Sequence, residues 1–321
     1  MKKITSAMLA FGLISSANVV TAEERDSFTG SIGIGATVID SSNNLNPNGS
    51  EDRLNDLSSS AEGDSSVQPL LLIKTTWDVG AADGLKMYLS TTPPIDEVGG
   101  FAIDLGSTYR LSGIGIVSGG LFFLPFAEAW EDPYLVGADR EETDTSKFGA
   151  KIGLNRIMGS GLRLGLVYMI DDVDDDVIGE RISELARDGV VYALNMNYSF
   201  YPTDNLEIRP RLTVRQGDYD GEANSYTKYK AELETRYVID KVAIIPRAYV
   251  SYSEYNELNP LFNETREDEG YGLSMVINYM APFNFTNWSI TGIASASEGD
   301  SNIDFYDSEA FSFGAFVSYN F

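Results

Sequence analysis

Cysteine and histidine are both absent from the 321 residues, and each absence closes off chemistry. Without a thiolate or an imidazole there is no Cys-His or Ser-His-Asp nucleophile, no disulfide, no structural zinc site and no lipid-anchored N-terminal cysteine. Basic residues are scarce: 23 Lys+Arg face 48 Asp+Glu, giving a formal net charge of -25 and a pI near 4.2. Such a charge repels phosphate backbones and excludes nucleic acid as a partner. Long apolar runs are missing too. Beyond the first 22 residues the notable one is 121–127 (LFFLPFA), far short of the roughly 20 residues a membrane helix needs. What the chain does have is 43% hydrophobic residues, with 18 Tyr and 16 Phe, enough for a folded structure.

The N-terminus reads as a removable secretory signal peptide over residues 1–22. Lys2 and Lys3 give a positive start, 7–17 is a short apolar stretch, and Val20-Thr21-Ala22 places small residues before Glu23. Cleavage removes two lysines and no acid, so residues 23–321, a single barrel domain, carry 21 basic and 48 acidic residues, a net of -27.

In that domain apolar and polar residues alternate with period two over stretches of about ten residues, separated in turn by tight turns and long polar loops, the rhythm of a transmembrane β-barrel. At the C-terminus Phe311, Phe313, Ala315, Val317, Tyr319 and Phe321 form one face and Ser312, Gly314, Phe316, Ser318 and Asn320 the other. A last strand ending in Tyr319 and Phe321 resembles the C-terminal assembly signal of Gram-negative outer-membrane barrels, which implies the barrel assembly machinery as a partner. Strands are expected at 27–39, 67–79, 85–90, 100–110, 115–123, 147–156, 162–170, 190–201, 206–215, 226–238, 242–255, 270–280, 288–297 and 311–321. The fold class is therefore all-β, a transmembrane antiparallel barrel of about 14 strands, with 12 and 16 as the alternatives, both termini periplasmic and seven long loops outside. The location is the bacterial outer membrane, in contact with its lipid and lipopolysaccharide.

Loop 40–66 is rich in Ser, Asn, Asp and Gly and reads as a solvated segment without function, whereas Ile178, Ile182 and Leu185 in loop 171–189 have the spacing of a short helix that packs against the rim. The order of residues around two of the loops also resembles a family of Gram-negative outer-membrane proteins known only as a domain of unknown function. The resemblance rests on Trp130-Glu131-Asp132-Pro133-Tyr134 followed by Arg140, Glu141 and Asp144, and on Asn259-Pro260-Leu261-Phe262 followed by Thr265-Arg266-Glu267-Asp268 and Tyr271-Gly272-Leu273. It implies an outer-membrane barrel and leaves the transported or bound species open.

Assigning faces brings out a charge separation hidden in the total. If Leu206, Ile208, Pro210, Leu212 and Val214 face lipid, then Glu207, Arg209, Arg211 and Arg215 face the lumen, and the neighbouring strand turns Lys228, Lys230, Glu232, Glu234 and Arg236 inward. The same parity adds Lys74, Lys86, Arg110, Lys147, Lys151, Arg163 and Arg247 as cations and Asp78 and Asp104 as anions. Thirteen inward bases against five acids make a basic lumen in an acidic protein. Two uses compete: Arg-Glu pairing that fills and stiffens the interior, or an attractive path for anions. Gly30, Gly33 and Gly35 alternate along a strand and serve close packing rather than phosphate binding. The acid runs at 171–176 and 218–222 lack the spacing of a calcium loop, so no metal site and no cofactor is expected. No Ser-x-x-Lys motif stands out on a strand, and no catalytic residue is assigned. The sequence thus points to a narrow channel or porin for small acidic or polar solutes, with a structural or surface-binding barrel of plugged lumen as the alternative.

Overall fold

The computed structural model describes residues 28–48, 52–58, 60–79, 84–92 and 101–321; the signal segment expected at 1–22 lies outside them. Strict alternation produces the strands β1 (Phe28–Ser42), β2 (Asp64–Asp78), β3 (Leu85–Ser90), β4 (Ile103–Leu111), β5 (Gly115–Trp130), β6 (Glu142–Asn155), β7 (Leu162–Val173) and β8 (Gly189–Tyr198). They are followed by β9 (Phe200–Thr203), β10 (Leu206–Tyr219), β11 (Tyr226–Ile239), β12 (Val242–Asn259), β13 (Glu264–Met280), β14 (Trp288–Ser301) and β15 (Ser308–Asn320). Sequential neighbours pair antiparallel, and β1 pairs with β15 from Ser31↔Asn320 to Ser42↔Glu309, which closes the ring. Fourteen strands make the barrel. The fifteenth, β9, is the continuation of β8 beyond a break at Ser199, so the strand expected over 190–201 is two pieces.

The periplasmic connections are tight and carry the conformations they need. Asp240 turns β11 into β12 at φ 50°, a left-handed geometry that Asp tolerates. Gly113, between β4 and β5, has φ 76°, where a side chain would be strained.

Outward residues are large and apolar: Val67, Ile34, Leu273 and Phe313 are each more than half exposed to the surroundings. Burying them in a bilayer instead of water is worth about 1.5–3 kcal/mol per side chain. Aromatic residues mark the periplasmic edge of this belt, with Trp288 against Tyr319 at 5.2 Å and Phe28 stacked on Phe321 at 5.5 Å; such girdles sit at the headgroup level. The chain is a membrane-spanning barrel of the outer-membrane kind. Gly33 and Gly35 lie on the inner face against Ser318 and Phe316, while Gly30 lies on the outer face beneath the Phe321 ring, so only two of the three glycines are interior.

Candidate functional site

Strand register carries one face from each strand to the next. Register pairs Arg209 with Glu234, Arg211 with Glu232, Glu207 with Arg236, Arg215 with Lys228 and Glu234 with Arg247, and each pair shares the inner face. Two carboxylates organise the cluster. Arg209 reaches Glu234 at 2.8 Å and Glu207 at 2.6 Å, and Arg247 reaches Glu234 at 2.7 Å and Glu232 at 3.5 Å. Glu232 also faces Arg211 at 3.2 Å and Lys230 at 3.7 Å, while Lys230 lies over the Tyr249 ring at 4.4 Å. The Glu232 and Glu234 side chains are only 2% and 6% exposed, which a carboxylate tolerates when several cations surround it. Arg236, at the periplasmic end of this wall, and Arg163, across from Asn197, also sit on inward positions.

The wall from β4 to β7 repeats the scheme with lysines. Lys151 bonds Asp104 and lies over Tyr88, and Lys147 bonds Asp171 at 2.7 Å. Asp171 begins an external loop in the sequence reading, but β7 runs on to Val173 and carries it inside. The longer β2 and β13 likewise add Asp64 and Asp268 to the inward acids and Arg266 to the inward bases among the described residues. The thirteen bases keep their places, so the wall stays positive.

Between the charged sectors the inner surface is apolar in two places. Leu70, Leu72, Ile245, Val276, Ile293 and Phe316 meet across the lumen in its periplasmic half. Phe122, Leu124, Val167, Met169, Val191 and Ala193 line β5 to β8, with Ala102 packed against them.

Above the barrel the loops fold over its mouth. Tyr134, Ile178, Leu185, Ala223, Ile303, Phe305 and Tyr306 form a buried cluster, joined by partly buried Leu45, Leu54, Leu57, Ile182, Leu261 and Phe262. The loop expected to be merely solvated, 40–66, is thus part of the cap in its described residues, because its three leucines have an apolar surface to cover. The helix expected in loop 171–189 is real but short, α1 (Val177–Arg181), capped by Asp176. Its Ile178, with Leu185 beyond it, is wholly buried in the cap.

Both sequence motifs end here. Arg140 donates to the carbonyls of Asn44 at 2.8 Å and Pro133 at 3.2 Å and stacks on Trp130 at 4.2 Å. Burial pushes its guanidinium down to about 10, with Asp52 and Asp132 opposing. Arg266 lies between the rings of Tyr306 at 3.8 Å and Tyr255 at 4.6 Å and bonds Asp268 at 2.8 Å. Tyr134 and Tyr306 share a hydroxyl bond of 2.8 Å, and Asn259 donates to Tyr306 at 2.7 Å. Burial raises both phenols, which keeps them protonated as donors. Sequence reasoning passed over Phe305 and Tyr306; the clue available was large apolar residues in a polar loop.

The family described as protein of unknown function (DUF2860) matches residues 27–320. No curated protein matches the chain. Among solved structures, a loop L8 deletion mutant of OmpT, an outer-membrane protein of Vibrio cholerae, is 13% identical over 92% of this chain and 100% of that one, with a TM-score of 0.43. The outer-membrane channel DcaP of Acinetobacter baumannii is 10% identical over 92% and 96%, TM-score 0.45. An anion-selective porin from Comamonas acidovorans is 10% identical over 92% and 99%, TM-score 0.41.

Proposed function

The chain belongs to the DUF2860 family of proteins of unknown function, and from its own inner wall we propose that it is a narrow outer-membrane channel for small acidic or polar solutes. The observation that carries this reading is the excess of inward cations. Among the described strands inward bases, Arg266 included, outnumber inward acids even with Asp64, Asp171 and Asp268 added to those expected, so one-to-one pairing leaves a net positive wall. A positive wall in a low-dielectric cylinder concentrates anions, and guanidinium groups grip carboxylates through two parallel bonds. The buried Arg-Glu core of β10 to β12 stiffens the wall, and the cations beyond it set its sign. The conformation described here has the cap in place, so conduction requires the loops to part.

The cap also favours a second reading, a surface-binding barrel whose lumen stays plugged and whose loops do the work. Planar-bilayer recording separates the two. The channel reading expects discrete conductance steps and a reversal potential displaced toward anions in a salt gradient; a folded barrel that never conducts belongs to the second.

A further inference from the structure

The inner wall changes character at one height. From β12 to β14 the register partners Ile245, Val276 and Ile293 are apolar and buried in one cluster. Two residues further out, the same strands carry Arg247, Ser274 and Ser295. The next inward step carries Tyr249, Gly272 and Ser297. On β13 and β14 large packed side chains thus give way to small ones, so the wall is set back above an apolar sill.

Followed sideways, this recess runs from charge into hydroxyl. Above Glu232 and Glu234 the inward positions of β10 and β11 add Arg215, Lys228 and Lys230 and no further acid. Along the register Lys230 leads through Ser251 to Gly270 and Gly299, and the inward positions of β14, β15 and β1 carry no charge at all. Ser312, fully buried, holds the Ser295 hydroxyl by a hydrogen bond of 2.8 Å. Two inter-strand spacings of about 4.8 Å place Ser295 about 10 Å across the wall from Arg247.

An aromatic ring stands between the two ends. A Cβ on Gly272 would strike the Tyr249 ring, so only glycine leaves that ring its place, and Lys230 lies over it at 4.4 Å. Higher up, Tyr226 and Tyr255 are 5.5 Å apart and Arg215 lies over Tyr226 at 5.6 Å, which continues the alternation of ring and cation toward the cap.

Cation, ring and hydroxyl therefore meet in one recess. Guanidinium and ammonium groups take a carboxylate, a serine hydroxyl both donates and accepts, and the electron-rich face of a tyrosine suits polarised C–H bonds. A simple dicarboxylate would use the first of these alone. We infer that the recess from β11 to β14 binds an acidic monosaccharide of the uronate kind. Its carboxylate turns toward Arg247 and Lys230, its hydroxyls toward Ser251, Ser274 and Ser295, and its C–H face toward Tyr249. This deepens the channel reading, on which it rests for the entry of the solute, by naming the solute class.

The test uses the full mature chain in lipid nanodiscs, native and with Phe305→Ala to loosen the cap, and ligand-observed saturation-transfer NMR against empty nanodiscs. Glucuronate carries ring, hydroxyls and charge; glucose lacks the charge, and cyclohexanecarboxylate lacks the hydroxyls. Glucuronate should bind about tenfold more tightly than either. Ser274→Ala with Ser295→Ala should weaken glucuronate about fivefold, the worth of about one hydrogen bond, and leave cyclohexanecarboxylate unchanged. Lys230→Gln, which keeps Arg211 and Arg247 beside Glu232, should weaken both acids and spare glucose. Equal binding of glucuronate and either analogue, or a double alanine variant that binds glucuronate as the native chain does, overturns the assignment. So does the absence of glucuronate binding in both folded backgrounds. Anion conductance without glucuronate binding would overturn the site and leave the channel standing. Glucuronate binding sensitive to both sets of variants, in a barrel that never conducts, would support the site and overturn the channel.

Discussion

Phe305→Ala is the sharpest probe of the cap. The Phe305 ring is fully buried and stands 5.2 Å from Tyr134, 5.4 Å from Phe262 and 5.2 Å from Tyr306, so it touches most of the aromatic cluster at once. Truncating a buried Phe to Ala costs about 3–5 kcal/mol in a core that relaxes little. The barrel does not depend on this residue, because its strands are held by their own ladders and by the bilayer. The loss therefore falls on the equilibrium between cap closed and cap open, and at 1.4 kcal/mol per decade the open-to-closed ratio should rise by about two to three and a half decades. The native chain has no cysteine, so Thr213→Cys, on the inner face of β10, gives a clean reporter. In intact cells an impermeant thiol reagent should label Thr213→Cys slowly in the otherwise native protein and faster by that factor with Phe305→Ala, with open probability in bilayers rising in parallel. Equal labelling rates, with the barrel still heat-modifiable, would refute the idea that the aromatic cluster holds the mouth shut.

Three further outcomes are expected. Phe321 exchanges two backbone hydrogen bonds with Gly30 and stacks on Phe28, so deleting it or replacing it with Asp should leave unfolded chain in the periplasm; normal surface levels of heat-modifiable barrel would count against this. Cysteines placed at Asp175 and Asn302, in the fourth and seventh long loops, should react with impermeant reagents on intact cells, and labelling only after outer-membrane disruption would invert the topology. Lys74→Gln with Arg163→Gln removes two inward positive charges while leaving the cations around Glu232 and Glu234 in place. The reversal potential should then move toward cations, most clearly near 0.15 M salt, where the acidic loops are screened beyond about 8 Å; an unchanged potential in a conducting variant returns the basic wall to a structural role.

The sequence by itself determined most of the strands and the face of the residues along their regular parts. A pleated strand turns successive residues to opposite faces by covalent geometry, and one burial pattern, lipid outside, then fixes the register of each strand. That is why Arg209, Arg211, Lys230 and Glu232, chosen by parity alone, all stand inward. Even the short β3 was legible, because its apolar residues end at Ser90 before Thr-Thr-Pro-Pro. Only the tertiary structure decided the rest. Asp171 moved from a loop to the inner wall because β7 continues pairing with β6 as far as Val173↔Thr145, which depends on how high its neighbours rise rather than on its own pattern. The cap draws Leu45, Tyr134, Phe262 and Phe305 from four loops, and no local period announces them, since irregular backbone carries no fixed relation between spacing and direction; only Ile178, in the fifth, was legible from helical spacing.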